Sequence, residues 1–234
     1  MARPVKSMTD NSANDTARYK ERRRRMVEKQ IHKRGIKDPR VLHAFLQVPR
    51  HLFMDEALRD RAYEDHPLPI GKGQTISQPY TVAFMTEALK LDGDEKVLEV
   101  GSGCGYQTAI LLELAPQVFA IERIASLARR SQKTLDSLGY TGFVLKVRDG
   151  TRGWPEYAPF DAIIVAAAAP HVPPSLKNQL VVGGRLVIPV GDKHVQGMIR
   201  ITRLDEENFK EEDLGSFRFV GLIGAEGWKE NETI

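Results

Sequence analysis

The chain holds one cysteine, Cys104, among 234 residues. No intramolecular disulfide can form, a zinc site built on several cysteines is excluded, and a reducing compartment suits such a chain. Long apolar runs are missing as well. The most apolar segment, "AIIVAAAA" at 162–169, is far shorter than the ~20 residues a membrane helix needs. The opening residues, "MARPVKSMTDNSAND", carry no apolar stretch of the secretory kind. Charge of one sign is not in large excess either: 34 Lys and Arg face 31 Asp and Glu, a net charge of +3. What is present is 41% hydrophobic residues, enough for a sizeable core in one domain. The expectation is a soluble cytoplasmic protein with no membrane contact, no metal and a monomeric state.

The positive excess is local, in "RYKERRRRMVEKQIHKR" at 18–34. A solvated helix face is the ordinary reading of such a run, with nucleic acid or acidic protein as the alternative partners. Residues 1–14 are small and polar, and a disordered tail is expected there. A helix is expected from Asp15 or Thr16, as cap, to Gly35, and a second opens at Asp38-Pro39, where a cap precedes proline at the first helical position. Val41, Leu42, Phe45 and Leu46 keep helical spacing. Between His51 and Gly73 the chain reads as a short helix followed by loop.

After Tyr80 the pattern alternates. "KVLEV", "QVFAIE", "FVLKV", "DAIIVAAA" and "GGRLVIPVG" read as strands, with helices at "YQTAILLEL" and "ASLARRSQKTLDSLG". This is the pattern of a doubly wound α/β fold with a mostly parallel sheet. The tail differs: "GMIRITRL" and "EDLGSFRFVGLIG" flank "DEENFK" as an antiparallel hairpin. Residues 15–234 form one domain in this reading, with a helical cap over 15–75 and an α/β core over 76–234.

"VLEVGSGCGYQ" places Gly101, Gly103 and Gly105 between a strand and a helix, where glycine lets the backbone approach a ligand closely. GxGxG alone is a weak signal. Tyr106, however, stands where a dinucleotide fingerprint wants Gly or Ala, which disfavours a pyrophosphate and an NAD enzyme. Glu122 closes the next strand at the distance that suits ribose hydroxyls, or it is an ordinary strand end. Glu99 adds a second negative charge, awkward for phosphate and helpful for a cation. A ligand with a ribose, an ammonium and a sulfonium, and no phosphate, fits these charges: S-adenosylmethionine. Asp149 ends a further strand, placed to accept from an adenine amino group or to make an Asp-Gly turn. Cys104 reads as a small apolar filler, since no basic partner adjoins it. Trp154 and Pro155 read as packing.

With these parts in place, the chain resembles the protein-L-isoaspartate O-methyltransferases from about Arg22 to Trp228. The likeness is carried by "RMVEKQIHKRGIKDPRVLHAFLQVPRHLF", "YEDHPLPIGKGQTISQPYTVAFM", "VLEVGSGCGYQTAIL", "DGTRGWPEYAPFDAIIV", "VGGRLVIPVG" and "FVGLIGAEGW". The glycine loop is common to many methyltransferases, whereas "GQTISQP" is specific to this family. The resemblance implies a class I methyltransferase fold, a seven-stranded sheet whose last strands are antiparallel, and isoaspartyl proteins and peptides as substrates. It implies cofactor contacts at Glu99, Gly101, Ser102, Gly103, Glu122, Asp149 and Gly150, and substrate contacts at Thr75, Ile76, Ser77 and Gln78, with Ser77 at the reaction. The family commonly has Thr where this chain has Ala166 and Pro where it has Gly221; neither is expected to touch the serine or the cofactor loop.

Ser77 has no histidine beside it, and the resemblance implies that it needs none. The nucleophile is the substrate's own carboxylate, ionised at neutral pH because an α-carboxyl titrates at ~3.3–3.7. A neutral hydroxyl then orients that carboxylate. Ser77 also stands two residues before Pro79 at a helix start, where serine caps well, and both roles can hold together. His66 and His171 read as surface or packing residues. The rival readings are an RNA methyltransferase using the Arg-rich helix and a methyltransferase fold that binds without turnover.

Overall fold

The basic segment near the N-terminus does form a helix in the computed structural model, which describes residues 15–230; the tail expected over 1–14 lies outside the described residues. Helix α1 (Ala17–Met26) widens into a π-helical turn over Val27–Ile31 and tightens into a 3-10 turn over His32–Arg34. Gly35, at φ 106°, ends it in the left-handed region that only glycine enters cheaply. The basic run is not a uniformly solvated face. Arg23 is buried and grips Asp15 through both terminal nitrogens at 3.0 Å. Arg18 and Arg22 reach Asp60, and Arg24 bridges Glu21 and Glu28. Helix α2 (Pro39–Gln47) starts as expected, with the Asp38 carboxylate accepting the Arg40 N–H at 2.8 Å.

The stretch from His51 to Gly73 departs from the expected helix and loop. Two 3-10 turns, Arg50–Phe53 and Glu56–Arg61, are followed by a hairpin of β1 (Leu68–Gly71) and β2 (Gln74–Ile76). Leu68 and Ile70 face inward while Pro69 and Gly71 are exposed. Gly71, Lys72 and Gly73 all take positive φ in the tight turn. Gly-Lys-Gly between alternating apolar residues was the available signal.

Beyond α3 (Pro79–Ala88) the expected alternation appears: β3 (Lys96–Val100), α4 (Tyr106–Leu112), β4 (Gln117–Glu122), α5 (Ala125–Ser137), β5 (Phe143–Val147), β6 (Phe160–Val165), α6 (Pro174–Asn178) and β7 (Leu180–Gly191). Strands β8 (Gln196–Arg203) and β9 (Phe209–Phe217) complete a seven-stranded sheet in the order β5-β4-β3-β6-β7-β8-β9. The first five strands pair in parallel, and β8 and β9 are antiparallel. Val97–Val100 and Ala162–Val165 are buried throughout, as central parallel strands covered on both faces must be.

The cap is tied to the sheet by shared apolar contacts. Met26, Ile31, Phe45, Phe53 and Ile70 join Tyr106 and Ile110 of α4 in one core cluster. Tyr106 meets Phe45 and Phe53 edge-on, at centroid distances of 6.1 and 5.6 Å. The chain runs from β3 outward to β4 and β5, then crosses to β6 and β7 on the other side. That reversal leaves a crevice at the carboxyl ends of β3 and its neighbours, where ligands of open α/β sheets bind.

Candidate active site

A cavity of about 960 Å³ opens at this crevice. Its lining includes Gly101, Ser102, Gly103, Glu122 and Gly150 from the strand ends, and Thr75, Ile76, Ser77 and Gln78 from the segment entering α3. The structure therefore brings together nine of the eleven residues singled out from the sequence. Glu99 and Asp149 are not among the lining residues.

The glycine loop is strung from β4. The N–H groups of Gly101 and Ser102 both donate to the Ile121 carbonyl, at 2.8 and 3.1 Å. Glu122 accepts the Gly103 N–H at 2.9 Å and the Ile124 N–H at 2.8 Å, one on each oxygen. Each oxygen keeps a second lone pair. Gly105 caps α4 at φ 88°, and a Cβ there would lie 2.5 Å from Ser131 Oγ, so no other residue fits the turn. Ser102 is buried, and its hydroxyl has no hydrogen-bond partner among the described residues.

Glu99 lies beneath the loop. Its side chain, on β3, is fully enclosed, and Oε2 accepts from the Thr108 hydroxyl at 2.5 Å while Oε1 has no partner among the described residues. Burial pushes its carboxyl up to about 8; the Thr108 bond opposes this and the Glu122 charge adds to it. Glu99 is therefore mainly neutral at pH 7, and the second negative charge expected beside the cofactor is not presented to the cavity. Residues 99 and 101 are close in sequence, but the strand turns its Glu99 side chain to α4.

Asp149 is likewise engaged elsewhere. Oδ1 accepts the Thr151 N–H and hydroxyl at 2.9 and 2.7 Å, and Oδ2 accepts the Ala225 N–H at 2.8 Å. Burial would raise its carboxyl, but these donors and Arg152 outweigh that and hold it below the usual range. It caps the 3-10 turn Gly150–Arg152 and fastens the C-terminal segment.

Ser77 is half-buried between β2 and α3. Its hydroxyl makes no hydrogen bond among the described residues. The cap of α3 is Gln78, not Ser77, and no side chain caps that helix. Cys104 is buried, and burial pushes its thiol up, which suits the filler reading. Trp154 packs edge-on against Phe119. Neither His66 nor His171 lines the cavity; His66 holds Glu64 at 2.7 Å.

Comparison with known proteins decides the kinship. The family model for protein-L-isoaspartate(D-aspartate) O-methyltransferase matches residues 21–227. The chain belongs to this family. A protein-L-isoaspartate O-methyltransferase of Syntrophus aciditrophicus is 57% identical over 213 residues, spanning 90% of this chain and 98% of the relative. That of Geobacter metallireducens is 55% identical over 210 residues, 90% and 97% of the two chains. A solved protein-L-isoaspartate O-methyltransferase superposes with a TM-score of 0.79 at 27% identity, covering 89% of this chain and 67% of that one. A Plasmodium falciparum protein of the same type, solved in complex with S-adenosyl-L-homocysteine, gives 0.75 at 26% identity, covering 86% and 98%.

Within this methyltransferase frame, one expectation needs correction. Ala166, expected away from the cofactor loop, lines the cavity beside Gly101, whereas Gly221 lines the same cavity against Trp228 and Ile223. The reason is register. Strand β6 runs parallel to β3 with Val165 opposite Val100, so the next residues, Ala166 and Gly101, are neighbours. Sequence reasoning also passed over Arg50 and His51, both fully buried, with Arg50 bonded to the Ser77 carbonyl; a side chain that composition counts as surface gave no cue.

Proposed function

We propose that this chain transfers a methyl group from S-adenosylmethionine to the free α-carboxylate of L-isoaspartyl residues in damaged proteins and peptides. The ester closes to a succinimide with loss of methanol, and hydrolysis of the ring returns part of the material to aspartate. One observation carries the reading: a single cavity is lined both by the glycine loop with Glu122 and by Thr75–Gln78. Donor and acceptor can meet there.

The residues present fit the donor. Glu122 has lone pairs left for the two ribose hydroxyls, Gly101 and Gly103 keep the loop low, and the free Ser102 hydroxyl offers a further polar contact. Tyr106 stands where a dinucleotide fingerprint wants Gly or Ala, and its ring packs edge-on against Phe45 and Phe53. When bound, S-adenosylmethionine supplies a methyl group made electrophilic by a sulfonium. The acceptor carboxylate is ionised without help. As it reacts with a cationic donor, opposite charges cancel, so a cationic clamp on the carboxylate would favour the ground state over the transition state. Ser77 offers a neutral hydroxyl instead, and its contribution is orientation.

We further propose a monomer in the cytoplasm, where a reducing compartment agrees with the single buried cysteine; no helix among the described residues is long and apolar enough to cross a membrane. The RNA reading finds no support among the relatives, and the arginines on which it rested are largely engaged by Asp15, Glu21, Glu28 and Asp60.

The test is radiolabelled methyl transfer to a synthetic isoaspartyl peptide, with the aspartyl peptide as control. An isoaspartyl residue adds one backbone methylene and moves the free carboxylate onto the α-carbon. Misplacing a nucleophile by about 1 Å costs on the order of a hundredfold in rate, and discrimination of that size or better is expected. The product should be a base-labile ester that releases methanol. Equal labelling of both peptides, or label only in added RNA, would end this reading.

A further inference from the structure

Arg50 is the largest side chain wholly shut off from solvent in the described structure. Its Nε donates to the Ala62 carbonyl and its Nη2 to the Ser77 carbonyl, both at 2.8 Å. Nη1 makes no hydrogen bond, and the Tyr106 ring lies 4.9 Å from the guanidinium carbon. No carboxylate among the described residues pairs with it. The nearby Tyr63, Cys104 and Tyr106 are all pushed up by burial, so they are neutral at physiological pH and cannot balance the charge.

An unpaired buried cation is costly, and an apolar side chain of similar volume often serves stability as well or better. Packing alone therefore gives no reason for an arginine here. Its geometry gives one. The rigid guanidinium fork can hold two acceptors in a fixed relation, which neither lysine nor an apolar residue can do. The two acceptors belong to different parts of the fold, and only Ser77 lines the cavity. Ala62 follows the second 3-10 turn of the cap, and Ser77 links β2 to α3. The serine is gripped by its carbonyl while its hydroxyl is left without a partner.

We propose that Arg50 is a positioning residue for methyl transfer, fixing the Ser77 backbone against the helical cap so that the hydroxyl addresses the acceptor carboxylate. Arg50 does not line the cavity, so it acts through Ser77 and not on substrate or cofactor. The inference rests on the methyltransferase reading above, and labelling of the isoaspartyl peptide by the unmodified chain in the same assay tests that reading separately.

The experiment is a double-mutant cycle in the full chain, with Arg50→Met, Ser77→Ala and the pair, measured well below each variant's Tm. A misplaced orienting group costs on the order of a hundredfold per ångström, so Arg50→Met should lower single-turnover rate by about tenfold or more. Affinity for S-adenosyl-L-homocysteine, read by calorimetry, should stay within about twofold, because the glycine loop hangs from β4. In the Ser77→Ala background the Arg50 change should add little, since the two residues act as one unit. If Arg50→Met fails to fold, Arg50→Lys replaces it in the same cycle; a single ammonium cannot span both carbonyls, and a smaller but equally non-additive loss is expected. Retention of rate within about twofold, full additivity with Ser77→Ala, or a parallel fall in product affinity and rate would overturn the proposal.

Discussion

Glu122 holds the Gly103 N–H at 2.9 Å, so the acid at the end of β4 fastens the glycine loop at the end of β3. Its other oxygen fastens the start of α5 through the Ile124 N–H. This residue thus shapes the glycine loop, lines the cavity and, in the proposed function, offers its remaining lone pairs to the ribose. Both roles predict a loss on truncation.

Glu122→Ala should weaken S-adenosyl-L-homocysteine binding by about 1.5–3 kcal/mol, the range for hydrogen bonds to a charged group. Titration calorimetry measures it directly. Unchanged affinity would reduce Glu122 to a strand end that happens to line the cavity.

Ser77→Ala should lower kcat strongly while leaving product affinity and Tm nearly unchanged. The structure sharpens this expectation, because α3 is capped at Gln78 and the Ser77 hydroxyl bonds to nothing that folding would miss. A drop in Tm with an intact single-turnover rate would instead restore the helix-cap role.

The difference between what the sequence discloses and what it hides follows from the range of each interaction. The glycine loop, Glu122 and the strand alternation are local patterns, and they stand where expected. The segment Thr75–Gln78 stood out only through family likeness; the β1–β2 hairpin before it is short and includes Pro69, which weakens any strand signal. Asp149 holds the Ala225 N–H from 76 residues away in sequence, a tie that no local pattern reports. Arg23 read as part of a solvated face and Arg50 drew no reading, because arginine is usually exposed, and only tertiary packing turns both inward. Glu99 looks like a charge because its burial under Thr108 and α4 is not written in its neighbours. Ala166 reaches Gly101 through strand register, which no local pattern reports.

Glu99 makes a prediction about stability. Its folded carboxyl titrates near 8, above the ordinary value of 4.5, so the folded state holds a proton the unfolded chain has released. Stability from this group is full below the unfolded value and falls as pH rises toward 8. The slope is at most about 1.4 kcal/mol per pH unit. Chemical denaturation of the unmodified chain should show this decline between about pH 5 and 8, and Glu99→Gln should flatten it. An unchanged slope in the variant would assign the pH dependence to other groups.

The last prediction concerns the chemical step. An ionised α-carboxylate needs no base, and neither His66 nor His171 lines the cavity. His66 is occupied with Glu64 and the Pro67 carbonyl, and His171 is exposed. Single-turnover rate should therefore be nearly flat between about pH 6 and 8, because the nucleophile's pKa lies far below that range. The experiment must use single turnovers, since product release carries its own pH dependence. It must also be run where the fold is intact, since Glu99 erodes stability over the same interval. A rate rising tenfold per unit would implicate a titrating base. His66→Gln and His171→Gln would then show which histidine supplies it, and orientation by Ser77 would no longer suffice as the account of the step.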